Sequence, residues 1–210
     1  MKKLTLVIGN KNYSSWSLRA WLLLKEAGIP FNEIKISLHT NDPKLAKHSP
    51  SGKVPVLIDG KIKIWESLSI CEYIAERYPK AVLWPKDIAA RAFARSISSE
   101  MHAGFIKLRK YMPMDCRAES VAKEISQEVQ EDINRITEIW RESRKRFGKG
   151  GKFLFGRFGA ADAMFAPVAI RFATYLPPLD PVSEKYMETI LSLSTMKEWI
   201  RDAKTETEVI

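Results

Sequence analysis

Leu4-Thr5-Leu6-Val7-Ile8-Gly9-Asn10-Lys11-Asn12-Tyr13-Ser14-Ser15-Trp16-Ser17-Leu18-Arg19 passes from an apolar run, through a polar break, into a serine-rich start of a second apolar pattern. The run from Leu4 to Ile8 has the length and residue types of a core strand. Ser14 or Ser15 can cap a helix in which Leu18, Trp21, Leu22 and Leu24 or Lys25 recur on neighbouring turns. Gly28 stops that helix and Ile29-Pro30 confirms the break. Residues 31–38 alternate and predict a second strand. A strand-helix-strand unit normally pairs its strands in parallel through a right-handed crossover. Met1-Lys2-Lys3 ahead of this run has the outward look of a secretion signal. The apolar run is too short for one, and Asn10-Lys11-Asn12 ends it without a small-residue cleavage site, so a first core strand is expected.

Working outward, residues 39–52 are poorly patterned. Val54-Pro55-Val56-Leu57-Ile58 predicts a third strand, Asp59-Gly60 a two-residue hairpin turn, and residues 61–65 the return strand. Glu66 or Ser67 then opens a helix through Leu68, Ile70, Cys71, Tyr73, Ile74 and Ala75, ended at Tyr78-Pro79. From residue 89 onward only helical periods recur, over 89–111, 118–147, 160–175, 184–193 and 196–203. Residues 80–87, flanked by prolines, predict a linker. The expected organisation is therefore an α/β domain over 1–79, the linker over 80–87, and an all-helical domain over 88–210. Gly148-Lys149-Gly150-Gly151-Lys152 is expected to be a bend and not a phosphate loop, because no strand precedes it and no Ser or Thr follows the lysine. Residues 204–210 show no partner pattern and are expected to be mobile.

Composition narrows the function classes. With 210 residues, 45% of them hydrophobic, the chain can bury a sizeable core. It has no apolar run of about 18 residues, so no membrane span is expected. The formal charge is +9, but basic residues are interspersed with acids, as from Glu138 to Arg146, and no nucleic-acid signature accompanies them. The excess instead favours anionic ligands in general. The two cysteines, Cys71 and Cys116, lack CxxC spacing, and the three histidines, His39, His48 and His102, lack ligand spacing. Free thiols and no metal site are expected.

Three motifs carry chemistry. Around Ser14 and Ser15, a helix start offers unpaired N–H groups and about half a positive charge, beside hydroxyls that can donate to an anion or simply cap the helix. Gly52-Lys53-Val54-Pro55-Val56 sets a proline at a strand edge. A trans bond there is the ordinary case. A cis bond would turn the Val54 backbone toward the helix start, where it could pair with an extended peptide. At Trp65-Glu66-Ser67, a serine at a helix start can bind a carboxylate and Glu66 an ammonium, together a receptor for an α-amino acid head group, or merely a polar helix start.

Taken in order, these elements resemble the soluble glutathione transferases, serine type, with a first motif similar to the zeta and tau classes. The resemblance covers nearly the whole chain. It implies a thioredoxin-like first domain, a helical second domain, a homodimer and a cytoplasmic location. It also implies glutathione as a substrate, with Pro55 cis, Val54 on the cysteinyl backbone, Glu66 and Ser67 on the γ-glutamyl end, and Lys53 and His39 near the glycyl carboxylate. Ser14 aligns with the serine that donates to the thiol and Ser15 is its rival. Trp16 departs from the zeta pattern, which has cysteine there, and puts the zeta isomerisation in doubt. Trp16, Met101, Phe105, Met112 and Phe165 are candidate walls for a small hydrophobic electrophile. The resemblance assigns Asp162 a structural role at a helix start where Gly159 replaces the usual Ser or Thr. The implied activity is attack of the glutathione thiolate on that electrophile. A non-catalytic glutathione-binding or protein-interaction module, or a glutathione-dependent isomerase or peroxidase, is the alternative.

The energetics suffice without a general base. Lowering a thiol from pKa about 8.5 to about 6.5 requires roughly 2.7 kcal/mol of preference for the thiolate. A hydroxyl bond to a charged group contributes about 1.5–3 kcal/mol and a helix terminus about 0.3–1 kcal/mol.

Overall fold

The computed structural model describes residues 3–37, 43–121 and 124–209. The first part runs β1 (Leu4–Ile8), α1 (Ser15–Glu26), β2 (Phe31–Lys35), α2 (Pro43–His48), β3 (Val56–Asp59), β4 (Ile62–Trp65) and α3 (Ser67–Arg77). The sheet order is β2-β1-β3-β4, with β1 parallel to β2 and the other two pairings antiparallel. Asp59 faces Ile62 across the predicted hairpin, and Gly60 supplies the positive φ of +61° that its turn requires. Side chains alternate across the sheet. Leu4, Leu6 and Ile8 enter the main core with α1, while Val7, Ile36 and Val56 form a smaller cluster covered by Leu45 of α2. That helix was not legible in the sequence, because Leu45 is the sole large apolar residue in Pro43–His48.

After a 3₁₀ turn at Pro79–Ala81 come α4 (Ile88–Ala103), α5 (Ile106–Tyr111), α6 (Gln127–Phe147), α7 (Ala160–Tyr175), α8 (Pro181–Ser192) and α9 (Ser194–Lys204). All of α7 except Ala173 is buried, as expected of a helix that is apolar all round. It packs against α1 on one side and α4 on the other, so one core spans both halves. At the start of α7, buried Asp162 accepts from the backbone N–H of Leu154 (3.1 Å) and of Gly159 (3.0 Å) and from the Tyr186 hydroxyl (2.9 Å). Burial lifts its carboxyl from 3.8 to about 6, against the pull of those three donors. A Cβ at Gly159 would lie 2.7 Å from the Leu83 carbonyl oxygen, which is why no side chain occupies that cap.

Three expectations change. The predicted helix over 89–111 breaks at Gly104-Phe105, where Phe105 has φ +60°, because periodicity does not register a single left-handed residue. The predicted helix over 118–147 begins only at Gln127; Val121 is instead tied by its N–H to the Thr174 carbonyl (2.8 Å). The segment after Lys204 does not hang free. The Glu206 carboxylate accepts from the N–H of Lys11 (2.9 Å) and of Asn12 (3.0 Å). The Arg117 guanidinium donates to the carbonyls of Glu206 (2.7 Å) and Glu208 (2.8 Å) and to the Tyr13 hydroxyl (2.7 Å).

Candidate functional site

Polar residues in the β1–α1 turn hold the start of α1 open. Tyr13 N–H donates to Asn10 Oδ1 (3.2 Å), and Ser14 N–H to the Asn10 carbonyl (3.1 Å). Ser14 occupies the cap position of α1 but makes no side-chain cap bond. Its hydroxyl donates to Ser17 Oγ (2.7 Å), which also accepts from Gly9 N–H (3.1 Å). Ser15 N–H donates to the Tyr13 carbonyl (2.9 Å), and the next N–H groups of the helix start keep their capacity for an anion. Ser14 is buried and Ser15 half-buried beside it.

Both serines line a cleft of about 390 Å³ together with Tyr13, Trp16, Lys53, Val54, Pro55 and Glu66. The Val54-Pro55 bond is cis. The β3 ladder begins at Val56, so Val54 lies outside the strand pairing and beside the cleft. Ser49, which sequence reasoning passed over, braces this segment by accepting from Lys53 N–H (3.0 Å) and donating to the Lys53 carbonyl (2.6 Å). Glu66 holds φ at +68°, a sparsely populated conformation for a residue with a side chain, and lines the cleft as an exposed residue.

Other expected residues sit elsewhere. Ser67 heads α3 but is buried, with its hydroxyl 3.9 Å from Met164 Sδ. Met101, Met112 and Phe165 are fully buried in the core, Phe165 edge-on to Trp140, and Phe105 is nearly so. Among the expected walls, Trp16 alone lines the cleft. His39 lies outside the described residues.

Trp16 instead meets charge from Arg19 of its own helix and polar groups of the helical domain. The guanidinium carbons of Arg19 and Arg109 lie 4.3 and 4.6 Å from the Trp16 ring centroid, and the His102 ring meets it edge-on at 5.1 Å. His102 Nε2 is 3.4 Å from Glu66 Oε2. Burial, reinforced by Arg19, pushes the His102 imidazole below its usual value, so it is neutral at pH 7. Arg19 is buried on an otherwise apolar helix face. A charged residue at a core-facing helical position was the signal available in the sequence.

The sequence profile of the glutathione S-transferase N-terminal domain matches residues 13–77, and that of the C-terminal domain residues 126–200. The chain belongs to the glutathione S-transferase superfamily. Relatives in this family include a probable maleylacetoacetate isomerase of Caenorhabditis elegans, 37% identical over 43% of this chain and 42% of its own length. A zeta-class glutathione S-transferase of Euphorbia esula is 26% identical over 72% of this chain and 66% of its own. The first curated relatives are thus matched over less than half of their length, 42% and 30% for two of them. Among solved structures, a glutathione transferase homologue from Burkholderia with bound glutathione superposes with a TM-score of 0.74 at 22% identity, covering 98% of this chain and 100% of that one. A tau-class enzyme from mango superposes equally, at 0.74 and 20% identity, over 96% of each chain. The family's architecture, a thioredoxin-like domain followed by a helical one, is the fold observed here.

Proposed function

We propose that this protein is a glutathione transferase, binding glutathione in the Ser14–Glu66 cleft and activating its thiol as the thiolate. The observation that carries the proposal is the convergence of an uncapped helix start, the cis Val54-Pro55 segment and Glu66 on one cleft. The Burkholderia homologue's bound glutathione supports it. Glutathione's cysteinyl backbone pairs with Val54 and its ammonium with Glu66. Its α-carboxylate lies at the start of α3, where buried Ser67 contributes through the helix terminus more than through its hydroxyl. Lys53 and His39 attend the glycyl end. The thiol is held against α1 by Ser14, with Ser15 as the rival donor.

Serine acts as a hydrogen-bond donor and not as a nucleophile. For Ser14 to donate to sulfur, its hydroxyl turns from Ser17, and Ser17 Oγ, 2.7 Å away, donates back to it. The thiol proton passes to water, and the thiolate then attacks the electrophilic carbon, whose leaving group departs with its bonding pair. A homodimer and a cytoplasmic role in detoxification complete the proposal. Retention on immobilised glutathione, followed by turnover of an aryl halide, tests it: binding with turnover is expected, and binding without turnover on a panel of electrophiles supports the non-catalytic module instead.

A further inference from the structure

Trp16 lines the cleft, and the side chains packed against its ring, Arg19, Arg109 and His102, carry donors that lack partners. Arg19 is 1% exposed, and its Nε and Nη1 have no hydrogen-bond partner among the described residues. Arg109 donates to the carbonyls of Met101 and His102, but its buried Nε has no partner either, nor does His102 Nδ1. Arg171 adds a third buried guanidinium nearby, committed to the Met112 carbonyl at 2.7 Å. Asp132 acts on Arg109 through its charge, but among the described residues the two form no ion pair. Asp132 accepts from Leu108 N–H (2.9 Å), and Glu66 faces His102 and the cleft. Burial raises the Cys71 thiol beside Arg19 to about 12, so it supplies no negative charge. Buried charge without a partner is expensive, and these arginines lower one another's affinity for protons. A desolvated guanidinium pair against an aromatic wall is a receptor for a planar anion.

We propose that Trp16, Arg109 and His102, backed by Arg19, form a carboxylate subsite, so that the co-substrate is an anionic electrophile and not a purely hydrophobic one. Its electrophilic carbon sits over Ser14 and its carboxylate lies along the Trp16 wall toward Arg109. This names the substrate class of the proposed transferase and rests on that reading for its chemistry. The subsite itself consists of this chain's own side chains. With a chloronitrobenzoate, the glutathione sulfur bonds to the ring carbon that bears chlorine. The carbon–chlorine bond breaks, chloride leaves with the bonding pair, and the thiol proton has already passed to water, with no net oxidation.

Calorimetric titration of the intact protein, loaded with S-methylglutathione so that no reaction occurs, tests this with para-chloro-meta-nitrobenzoate and its neutral carboxamide. The carboxylate is expected to bind roughly tenfold or more tightly than the amide, the range of one charged hydrogen bond. Arg109→Met should bring the ratio to within about threefold and Arg109→Lys should keep most of it. S-methylglutathione affinity should be unchanged in both. Equal affinities in the unaltered protein overturn the proposal, as does a preference that survives Arg109→Met. Failure of S-methylglutathione to bind would count against the glutathione reading alone. The carboxylate preference is then measured on the unloaded protein, where a preference lost in Arg109→Met supports the subsite and equal affinities overturn it.

Discussion

Replacing Glu206 by Ala should destabilise the whole protein, because its carboxylate closes the turn that carries the candidate thiol donor. The Glu206 side chain is 6% exposed and pairs with Lys35 at 3.1 Å while accepting from the N–H groups of Lys11 and Asn12. Both of those residues are buried, Asn12 completely. Alanine leaves two buried donors unsatisfied, at about 1–3 kcal/mol each, for an expected loss of roughly 2–6 kcal/mol. For a chain of this length each kcal/mol moves the melting temperature by about 2–4 °C. Urea unfolding should therefore show a lower midpoint at unchanged slope, with a melting temperature roughly 5–20 °C lower. Glu206→Gln keeps one carbonyl oxygen as an acceptor and should lose less. Turnover should fall with Glu206→Ala even below the transition, since Tyr13 and Ser14 follow directly on the released turn. A loss under about 1 kcal/mol would refute the docking of the C-terminal segment on this turn.

Two further outcomes follow from the same geometry. Asp162 holds its proton up to about pH 6 when folded, against 3.8 ordinarily, so the folded state binds the extra proton between those values. Stability contributed by the protonated form is complete below the lower value and is lost as pH rises to about 6, by roughly 3 kcal/mol at about 1.36 per unit. Asp162→Asn should flatten that part of the stability–pH profile; an unchanged slope would contradict the assignment. Glu66→Gly relieves a positive φ and should stabilise the fold by up to about 1 kcal/mol, yet weaken glutathione binding roughly 10- to 100-fold through the lost ammonium partner. Unaltered affinity in calorimetry would remove Glu66 from the site.

The elements legible in the sequence were those with strong local signals: the apolar run of β1, the stop at Gly28, the Asp59-Gly60 hairpin, and α3 between Ser67 and Tyr78. The motifs around Ser14, Val54 and Glu66 were legible as well, although only folding brings them to one cleft. What escaped depends on tertiary contact. The break at Gly104-Phe105 is a single backbone torsion within an apolar period. The segment at Glu206 is fixed by backbone donors and by Arg117, far away in sequence, so no local pattern marks it. Met101, Met112 and Phe165 have the residue types of an apolar pocket wall, but the same types fill a core, and composition cannot separate the two. Arg19 and Arg109 escaped for the opposite reason: charge normally marks solvent, and here it packs against Trp16 behind the cleft.

The central claim, activation of a glutathione thiol at the start of α1, is tested most directly by the ultraviolet thiolate absorbance of the glutathione-saturated protein as a function of pH. A midpoint about two units below the free thiol's value of about 8.5 is predicted, moving back toward it in Ser14→Ala and little in Ser15→Ala. A midpoint near about 8.5 in the unaltered, saturated protein would contradict the account.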